Sequence, residues 1–361
     1  MSLGSIQWSM VGNSVENSAG KRKVAVLGAT GYTALEVIEI LLRHPGAEIV
    51  SATSRNEEPT SLAELHPRLN GRIHLRTEPF DAKALKSKGV DTAFSCLPHG
   101  ASATSVAALL EQGIRVIDLS ADYRLQDPSR QLQWYGHPHA DPTNLPLAVY
   151  GLPEFHASTI RKARLVANPG CYPQTVILGM APLVGRKLAR KGTIIADCKS
   201  GVSGAGRTPS LKTHFPECNE SVSAYQVGIH RHTAEMEQEL GGLVREQVPV
   251  LFLPHLIPME RGILSTITAT LEGNGAMPGN KELLELYRSE YSDKPFIRVC
   301  ATPPSTNQTR HTNFIDIHPM RVGDRVVVIA SLDNLVRGAS GVAVQNFNLM
   351  NGWPETTALL H

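Results

Sequence analysis

KVAVLGATGYTALEVIEILLRHPG, residues 23–46, runs from a short apolar segment through a glycine turn into the apolar spacing of an amphipathic helix, which a Pro-Gly pair ends. A strand, a glycine turn and a helix in this order form the first unit of a parallel sheet. The N–H groups of such a turn can bind the pyrophosphate of a dinucleotide. The turn contains Gly28 and Gly31 but departs from the full G-x-G-x-x-G spacing, because Thr30 and Ala34 stand where glycines are common. Its position between a strand and a helix still predicts a nucleotide-binding site.

The chain around this stretch divides into two domains and a leader. Residues 23–165 alternate strands with helices, which predicts an α/β Rossmann-type dinucleotide-binding domain. Residues 166–332 are strand-like runs with few helices between them, which predicts a mixed α+β catalytic and oligomerisation domain with a largely antiparallel sheet. The segment 333–361 is predicted to contain a closing helix that returns to the first domain. Residues 1–22 have no continuous apolar region and no clear cleavage site, so we interpret them as a loose leader, either native or left from cloning.

The composition argues against several classes of partner. The 361 residues carry a formal net charge of +2 with acids and bases interleaved, which argues against nucleic acid. No apolar run is long enough to span a bilayer, so no membrane partner is expected. The five cysteines are scattered without a Cys-x-x-Cys pair, which argues against a disulfide framework and a structural zinc site. They favour a reducing compartment: the cytoplasm, or the plastid stroma if the source is a plant.

The end of the second predicted strand indicates which dinucleotide binds. An acidic side chain at this point binds the 2′-hydroxyl of NAD. The sequence instead places Ser54 and Arg55 there, and a hydroxyl with a guanidinium suits a 2′-phosphate. This favours NADP(H), while a solvated arginine in a mobile loop is the alternative.

The segment ANPGCYPQT, residues 167–175, places Cys171 after a Pro-Gly pair at the predicted start of a helix. A helix N-terminus lowers the pKa of a thiol, so the position predicts a nucleophile. The alternative is a small buried filler, which suits Cys96, Cys198 and Cys300 better because they lie in or beside apolar strand runs.

A nucleophilic thiol needs an acid/base partner, and the segment GIHRHTAEMEQEL supplies His230 and His232. Arg231 between the two histidines favours a polar site. A pair of histidines could also bind a metal, but no third and fourth ligand stands at recognisable spacing, so no metal site is predicted.

A second glycine loop, KSGVSGAGR, follows a predicted strand at residues 199–207. Backbone amides in such a loop can face a phosphate or the nicotinamide side of a cofactor, and Lys199 and Arg207 at its ends favour an anion. The alternative is a flexible surface loop.

Together, these motifs resemble those of one known family, the N-acetyl-γ-glutamyl-phosphate reductases of arginine biosynthesis. The matching segments are, in chain order, GATGYTALEV, CLPHG, DLSADYRL, YGLPE, NPGCYP, KSGVSGAGR, HRHTAE, PHLIPMERGI and DNLVRGASGVAVQN. The resemblance runs from about Lys23 to the C-terminus. The aspartate-semialdehyde dehydrogenases are wider relatives that share the cysteine mechanism and a Ser-Gly-Ala-Gly loop.

The resemblance implies an activity, a set of site residues and an assembly. Cys171 displaces phosphate from N-acetylglutamyl 5-phosphate to form a thioester, which NADPH reduces to the semialdehyde. The acid/base is His232, with His230 as the second candidate, since spacing alone does not separate them. The implied substrate-binding residues are Arg124, Lys199 and Arg231. The implied cofactor-binding residues are Gly28, Thr30, Gly31, Tyr32, Thr33, Ser54, Arg55, Pro98, Ser203, Gly204, Ala205, Gly206 and Asn334. A homodimer or homotetramer is also implied.

Rival interpretations remain open at this point. Within the class, the substrate could be an aspartyl phosphate, against which the HRH and PHLIPMERG segments argue. It could also be the longer N-acetyl-aminoadipyl phosphate, because one methylene changes binding by only about 1–3 kcal/mol. Outside the class stand a protein that senses NADP(H) without turnover and a cysteine hydrolase, for which two glycine loops would have no purpose.

Overall fold

The structure, a computed structural model, describes residues 20–55, 58–272 and 277–360. The predicted leader, residues 1–22, lies outside the described residues except for its last three, of which Arg22 already belongs to the first strand. Within the described ranges, no helix is both long and apolar enough to cross a membrane.

The first sheet is parallel throughout. Its strands are β1 (Arg22–Leu27), β2 (Ala47–Thr53), β3 (Thr92–Ser95), β4 (Arg115–Asp118), β5 (Ala148–Tyr150) and β6 (Leu165–Ala167). Their spatial order is β2-β1-β3-β4-β6-β5, with each neighbouring pair parallel. The glycine turn predicted from the sequence joins the strand β1 to a helix, and the Rossmann-type fold is confirmed.

Helices connect and cover the strands. In the described residues they are α1 (Tyr32–Leu42), α2 (Leu62–Leu65), α3 (Ala82–Ser87), α4 (Ser102–Glu111), α5 (Pro128–Tyr135), α6 (Pro153–Ile160), α7 (Cys171–Gly185), α8 (Phe215–Cys218), α9 (His232–Val244), α10 (Asn280–Glu290), α11 (Thr306–Thr309) and α12 (Gly341–Met350). The apolar faces of α1 and α12 pack on one side of the first sheet and those of α3 and α4 on the other, which buries its strands on both faces.

The second sheet is mixed. Its strands are β7 (Ile194–Gly201), β8 (Ser223–Ala224), β9 (Val250–Ile257), β10 (Ile263–Thr270), β11 (Ile297–Val299), β12 (Ile315–Val322) and β13 (Arg325–Leu332), in the order β11-β12-β13-β10-β7-β9-β8. The mixed α+β class is confirmed, although β7 pairs with β9, and β11 with β12, in parallel. The alternation of apolar residues shows that a segment is a strand but carries no information on its direction. The sheet is largely antiparallel, as expected, because four of its six strand pairs are antiparallel. The two parallel pairs were not anticipated, and such pairs need long crossovers like the one through α9.

One face of the second sheet forms a core with α7, α9 and α10. Ile267 and Val328 point inward from neighbouring strands and lie close to Gly179 in α7. Residues on the opposite, outer face, among them Leu251, Leu264 and Ile329, are half-buried to exposed.

The chain returns to the first domain after β13. The ring of Phe347 in α12 lies 5.4 Å from that of Phe94 in β3 and 5.3 Å from that of Trp353. Residues 333–340 form the connecting turn between β13 and α12. The Asp333 carboxylate accepts the N–H groups of Leu335 and Val336 at 2.8 and 2.9 Å and fixes this turn. The connecting turn packs against the start of α7, so the two domains join at this point.

Candidate active site

A cavity of about 870 Å³ opens between the two domains. It lies beyond the carboxyl ends of β1 to β4, where open α/β sheets bind their ligands. Every residue that the sequence assigned to the cofactor, from Gly28 to Asn334, lines this cavity, and so do Arg124, Cys171 and His232. Three other predicted residues, His230, Lys199 and Arg231, are not among the described residues that line it.

The glycine turn fits a dinucleotide. Gly28 has a positive φ of 74°, and a Cβ there would lie 2.8 Å from the carbonyl oxygen of Cys96, so no larger residue fits without displacing the backbone. Gly31 precedes α1 without a side-chain cap, which leaves the first N–H groups of the helix available to an anion. Ser54 and Arg55 line the cavity just beyond β2, as a 2′-phosphate would require.

Cys171 is the first residue of α7 and is packed more tightly than its sequence position suggested. A Cβ at Gly338 would lie only 2.8 Å from the Cβ of Cys171, so the connecting turn closes over the cysteine. Burial raises the pKa of the Cys171 thiol to about 11, although the positive charge of Arg124 acts in the opposite direction. The lowered pKa expected from the helix N-terminus is therefore not found, because loss of solvent outweighs the local charges.

His232 and His230 occupy different environments. A Cβ at Gly170 would lie 2.5 Å from Nε2 of His232, so the glycine before Cys171 is what lets the imidazole approach it. Burial, with the neighbouring His230 and Arg124, lowers the pKa of His232 well below its ordinary value. His230 lies behind it, its ring 4.6 Å from that of His232, and its Nδ1 accepts the backbone N–H of His232 at 3.1 Å. Of the two histidines, His232 lines the cavity and His230 contacts it from behind.

Arg124 reaches the cavity from the loop after β4. Its guanidinium donates to the carbonyl oxygens of Asn168 at 2.8 Å and Leu119 at 3.0 Å, and to the Glu235 carboxylate at 3.0 Å. Burial alone would lower the pKa of Arg124, but the adjacent Glu235 raises it overall. An arginine has five N–H groups, so two are left without a partner among the described residues and can face a bound oxygen.

Glu235 was not singled out from the sequence. Its fully buried carboxylate accepts from Arg124, from the Tyr150 hydroxyl at 2.9 Å and from the N–H of Gly170 at 2.9 Å. Nε2 of His232 lies 3.9 Å from the same carboxylate. Its position three residues after His232 was the available signal, since residues so spaced share a helix face. Glu235 thus connects the arginine, the histidine and the turn before Cys171.

Lys199 and Arg231 lie elsewhere for local reasons. Alternation along β7 buries Cys198 and Ser200 and turns Lys199 to the outer face, where its Nζ lies 2.6 Å from Asp197. The guanidinium of Arg231 stacks over the ring of Tyr135 at 5.3 Å. The structure therefore brings Arg124, but neither of these two cations, to Cys171.

Asn334 links the cavity to the second glycine loop. Its Oδ1 accepts the N–H of Gly262 at 2.7 Å, and its Nδ2 donates to Oγ of Ser203 at 3.0 Å. One hydrogen of Nδ2 remains for a ligand. The described residues contain no group of three or more His, Cys, Asp and Glu side chains able to hold a metal ion.

A nucleotide-binding parallel sheet, a mixed-sheet domain and a cysteine between them define a class of two-domain oxidoreductases. Residues 23–163 match the family model described as semialdehyde dehydrogenase, NAD binding domain, and residues 171–334 match semialdehyde dehydrogenase, dimerisation domain. Solved structures agree in fold. An aspartate semialdehyde dehydrogenase II from Vibrio cholerae, complexed with ASA, has a TM-score of 0.68 at 16% identity and covers 92% of this chain and 99% of its own. The Candida albicans enzyme with NADP has a TM-score of 0.66 at 15% identity, with the same coverage of both chains.

Curated relatives define the family more closely. Proteins named N-acetyl-gamma-glutamyl-phosphate reductase from Rhodopirellula baltica and Desulforudis audaxviator are 48% and 45% identical over 345 and 343 residues. The matches cover 95% and 94% of this chain and 99% and 98% of those proteins. The chain belongs to the N-acetyl-gamma-glutamyl-phosphate reductase family, as its motifs predicted, and its first domain binds a nicotinamide nucleotide.

Proposed function

We propose that the protein converts N-acetyl-L-glutamyl 5-phosphate, NADPH and a proton into N-acetyl-L-glutamate 5-semialdehyde, NADP⁺ and inorganic phosphate. The observation that carries this proposal is the convergence of Cys171, His232 and Arg124 on a cavity whose other walls are two glycine loops. A nucleophile, a base and an anion anchor are the groups that acyl-phosphate chemistry requires beside a nucleotide.

The residues around the cavity suit NADPH. The Gly28–Gly31 turn would hold the pyrophosphate, Ser54 and Arg55 the 2′-phosphate, and Asn334 with the Ser203–Gly206 loop the nicotinamide end. When bound, the nucleotide supplies a hydride to the acyl carbon. The remaining chemistry belongs to the protein.

Thiol activation follows from the two perturbed groups. The Cys171 thiol is protonated at neutral pH because burial raises its pKa to about 11. His232 is neutral because burial and nearby cations lower its pKa, so its imidazole can accept a proton. As Nε2 of His232 takes the thiol proton, Sγ attacks the acyl carbon and the carbon–oxygen bond to phosphate breaks. A thioester results, and the released phosphate takes from solvent the one proton that the overall reaction consumes.

Arg124 and Glu235 prepare the site for this displacement. The two free N–H groups of Arg124 can donate to the leaving phosphate, while Glu235 fixes the guanidinium through its ion pair. The carboxylate of Glu235 also holds the N–H of Gly170 and so sets the position of the turn before Cys171. We therefore assign Arg124 to substrate binding and Glu235 to positioning.

His232 completes the reaction. Reduction of the thioester leaves an oxyanion on the carbon that still carries Sγ, and protonated His232 can donate to it. The neutral imidazole then accepts the hydroxyl proton and returns it to sulfur as the carbon–sulfur bond breaks and the aldehyde leaves. One histidine thus serves the proton transfers at sulfur and at the carbonyl oxygen, and Cys171 regains its thiol.

The experiment that tests the proposal follows the reverse reaction. Protein, phosphate and NADP⁺ are mixed with N-acetylglutamate, N-acetyl-aminoadipate or aspartate semialdehyde, and NADPH formation is recorded by absorbance. We expect phosphate-dependent turnover to be fastest with N-acetylglutamate semialdehyde. Faster turnover of either other aldehyde would overturn the substrate assignment, and silence with all three would overturn the enzymatic one.

We also propose that the protein is a homo-oligomer whose copies meet through the outer face of the second sheet. The half-buried to exposed side chains of that face, including Leu251, Leu264 and Ile329, support this interface. The match of this domain to a dimerisation model also supports it. The five cysteines are free, which supports a reducing compartment such as the cytoplasm.

A further inference from the structure

Arg207 joins the two walls of the cofactor cavity. It follows the Ser203–Gly206 loop of the second domain, yet its guanidinium donates to the carbonyl oxygen of Thr30 at 2.9 Å and to that of Leu65 at 3.2 Å. Thr30 belongs to the glycine turn of the first domain, and all three residues line the cavity. The sequence had suggested an anion for this arginine, but its hydrogen bonds go to main-chain oxygens on the opposite wall.

His66 supports this contact from the first domain. Its buried ring places Nε2 2.7 Å from the carbonyl oxygen of Ala29 and Nδ1 3.4 Å from Nη1 of Arg207. Burial lowers the pKa of His66, which favours the neutral ring that donates from Nε2 and leaves Nδ1 as an acceptor for the arginine. The carbonyl oxygens of Ala29, Thr30 and Leu65 are thereby held by two side chains, of which only Arg207 comes from the other domain.

On the basis of the proposed function, we infer that Arg207 is a cofactor-positioning residue, which holds the Ser203–Gly206 loop against the Gly28–Gly31 turn at the spacing that NADPH requires. The planar guanidinium can donate to two carbonyl oxygens at once, which a lysine cannot do with the same geometry. These bonds join the two walls through the protein's own atoms, so they fix the spacing of the two loops and reduce the ordering that binding must accomplish.

The test measures the contact both with and without nucleotide. In the ligand-free protein, we expect the Arg207→Ala substitution to speed hydrogen exchange of amides in residues 203–207. We expect it to raise the Kd for NADPH, followed by fluorescence, by about five- to twentyfold. The KM for NADPH rises in parallel while kcat changes by less than about twofold. Arg207→Lys gives an intermediate Kd, and Lys212→Ala, which removes an exposed cation of the same segment, leaves exchange and Kd unchanged.

Three results would overturn the inference. Unchanged exchange and unchanged Kd in Arg207→Ala would show that the contact does not order the loop. A loss of NADPH affinity without any loss of NADH affinity would make Arg207 a direct ligand of the 2′-phosphate instead. A loss of kcat with an unchanged KM would make it catalytic. If the wild-type protein binds no NADPH, the proposed function fails, while the exchange measurement still decides whether Arg207 orders the loop.

Discussion

At the scale of single residues, the main feature is a half-buried thiol beside a neutral imidazole. A thiolate stabilised at rest would be open to oxidation, whereas the protonated Cys171 is inert until a base removes its proton. Burial keeps both groups uncharged, because it raises the pKa of Cys171 and lowers that of His232. Reactivity in this site therefore depends on where His232 lies as much as on the cysteine.

The pH dependence of alkylation tests this state. The thiolate is the reactive form, and a pKa of about 11 means that its fraction rises roughly tenfold per pH unit below that value. We expect the iodoacetamide rate at Cys171, measured by mass spectrometry of the tryptic peptide, to keep rising through pH 9 without a plateau. A plateau near neutral pH would show a depressed pKa instead.

Glu235 carries a prediction about stability. Glu235→Gln keeps the side-chain shape but leaves the buried Arg124 guanidinium without its counter-charge, which costs about 3–5 kcal/mol of unfolding free energy. Urea denaturation measures the loss. The control is Glu237→Gln on the same helix, whose half-buried pair with Arg130 contributes less than about 1 kcal/mol. Equal effects of the two substitutions would contradict the assigned role.

Substitutions at Arg124 and Lys199 distinguish between these two candidate phosphate anchors. Arg124→Lys removes the planar fork at the cavity and should raise the KM for phosphate in the reverse reaction at least about tenfold. Lys199 lies on the outer sheet face, so Lys199→Ala should change this KM by less than about twofold. The comparison requires that the mass of the variant in solution is unchanged, because the same face is the proposed oligomer interface. The opposite ranking would return Lys199 to the substrate site.

Most cavity residues could be predicted from motifs because glycine turns and strand ends have fixed relations to the sheet. The strand alternation that turns Lys199 outward was also readable, since Cys198 and Ser200 alternate with it. The surroundings of Cys171 were not readable. They depend on Gly338 and Arg124, which are distant in sequence, and only packing shows that burial outweighs the helix N-terminus at the thiol.

At the scale of elements, the turn from β6 into α7 determines how close the histidine comes to the cysteine. Gly170 has φ −67° and ψ 155°, which any residue can adopt, so its glycine is required for space alone. The first residue of α9 is His232, and its Nε2 lies 2.5 Å from where a Cβ of residue 170 would stand. The close approach of the turn before α7 to the start of α9 thus brings the imidazole and the thiol together.

Gly170→Ala tests that approach. The methyl group displaces the His232 ring and crowds Nη1 of Arg124, 3.0 Å away, while the backbone stays the same. A misplacement of this size costs about a hundredfold in kcat. Gly185→Ala, at the other end of α7 with no atom within 4 Å of the added Cβ, is the matched control and should retain full activity. Steady-state rates and thermal melting distinguish lost activity from lost folding. An active Gly170→Ala variant would remove His232 from the mechanism.

Elements of the first domain could be predicted more fully than those of the second. Strands that alternate regularly with single helices are typical of parallel sheets with right-handed crossovers, so pattern and topology agree. In the second domain the strands β7 and β9 are separated by a long segment with α8, β8 and α9, and nothing in their alternation sets their direction. Their parallel pairing is a property of the whole sheet.

At the scale of the molecule, the two sheets differ in how many of their faces the chain itself covers. The first is covered on both faces by its own helices, while the second covers one face and leaves the other half-buried. The C-terminal helix α12 returns to the first domain and, through the turn before it, also packs against Cys171. In the proposed assembly, oligomerisation and catalysis use opposite faces of the second domain.

Leu251 tests the oligomer. It lies 48% exposed on the outer face, and a glutamate there would place a charge in the proposed interface. We expect Leu251→Glu to lower the mass measured by light scattering to that of one chain at micromolar concentration. Leu132→Glu, at an equally exposed leucine of α5 in the first domain, should leave the mass unchanged. A monomeric wild type, or an unaffected Leu251→Glu variant, would contradict this interface.

The most direct test of the thioester mechanism at Cys171 is a burst measurement without phosphate. Protein is mixed rapidly with N-acetylglutamate 5-semialdehyde and NADP⁺, and NADPH absorbance is followed beside a Cys171→Ser variant. We predict a burst of one NADPH per active site and one N-acetylglutamyl group on the peptide that contains Cys171. Added phosphate then releases the group and restores turnover. No burst in the wild type, a burst in the variant, or an acyl group on another residue would contradict it.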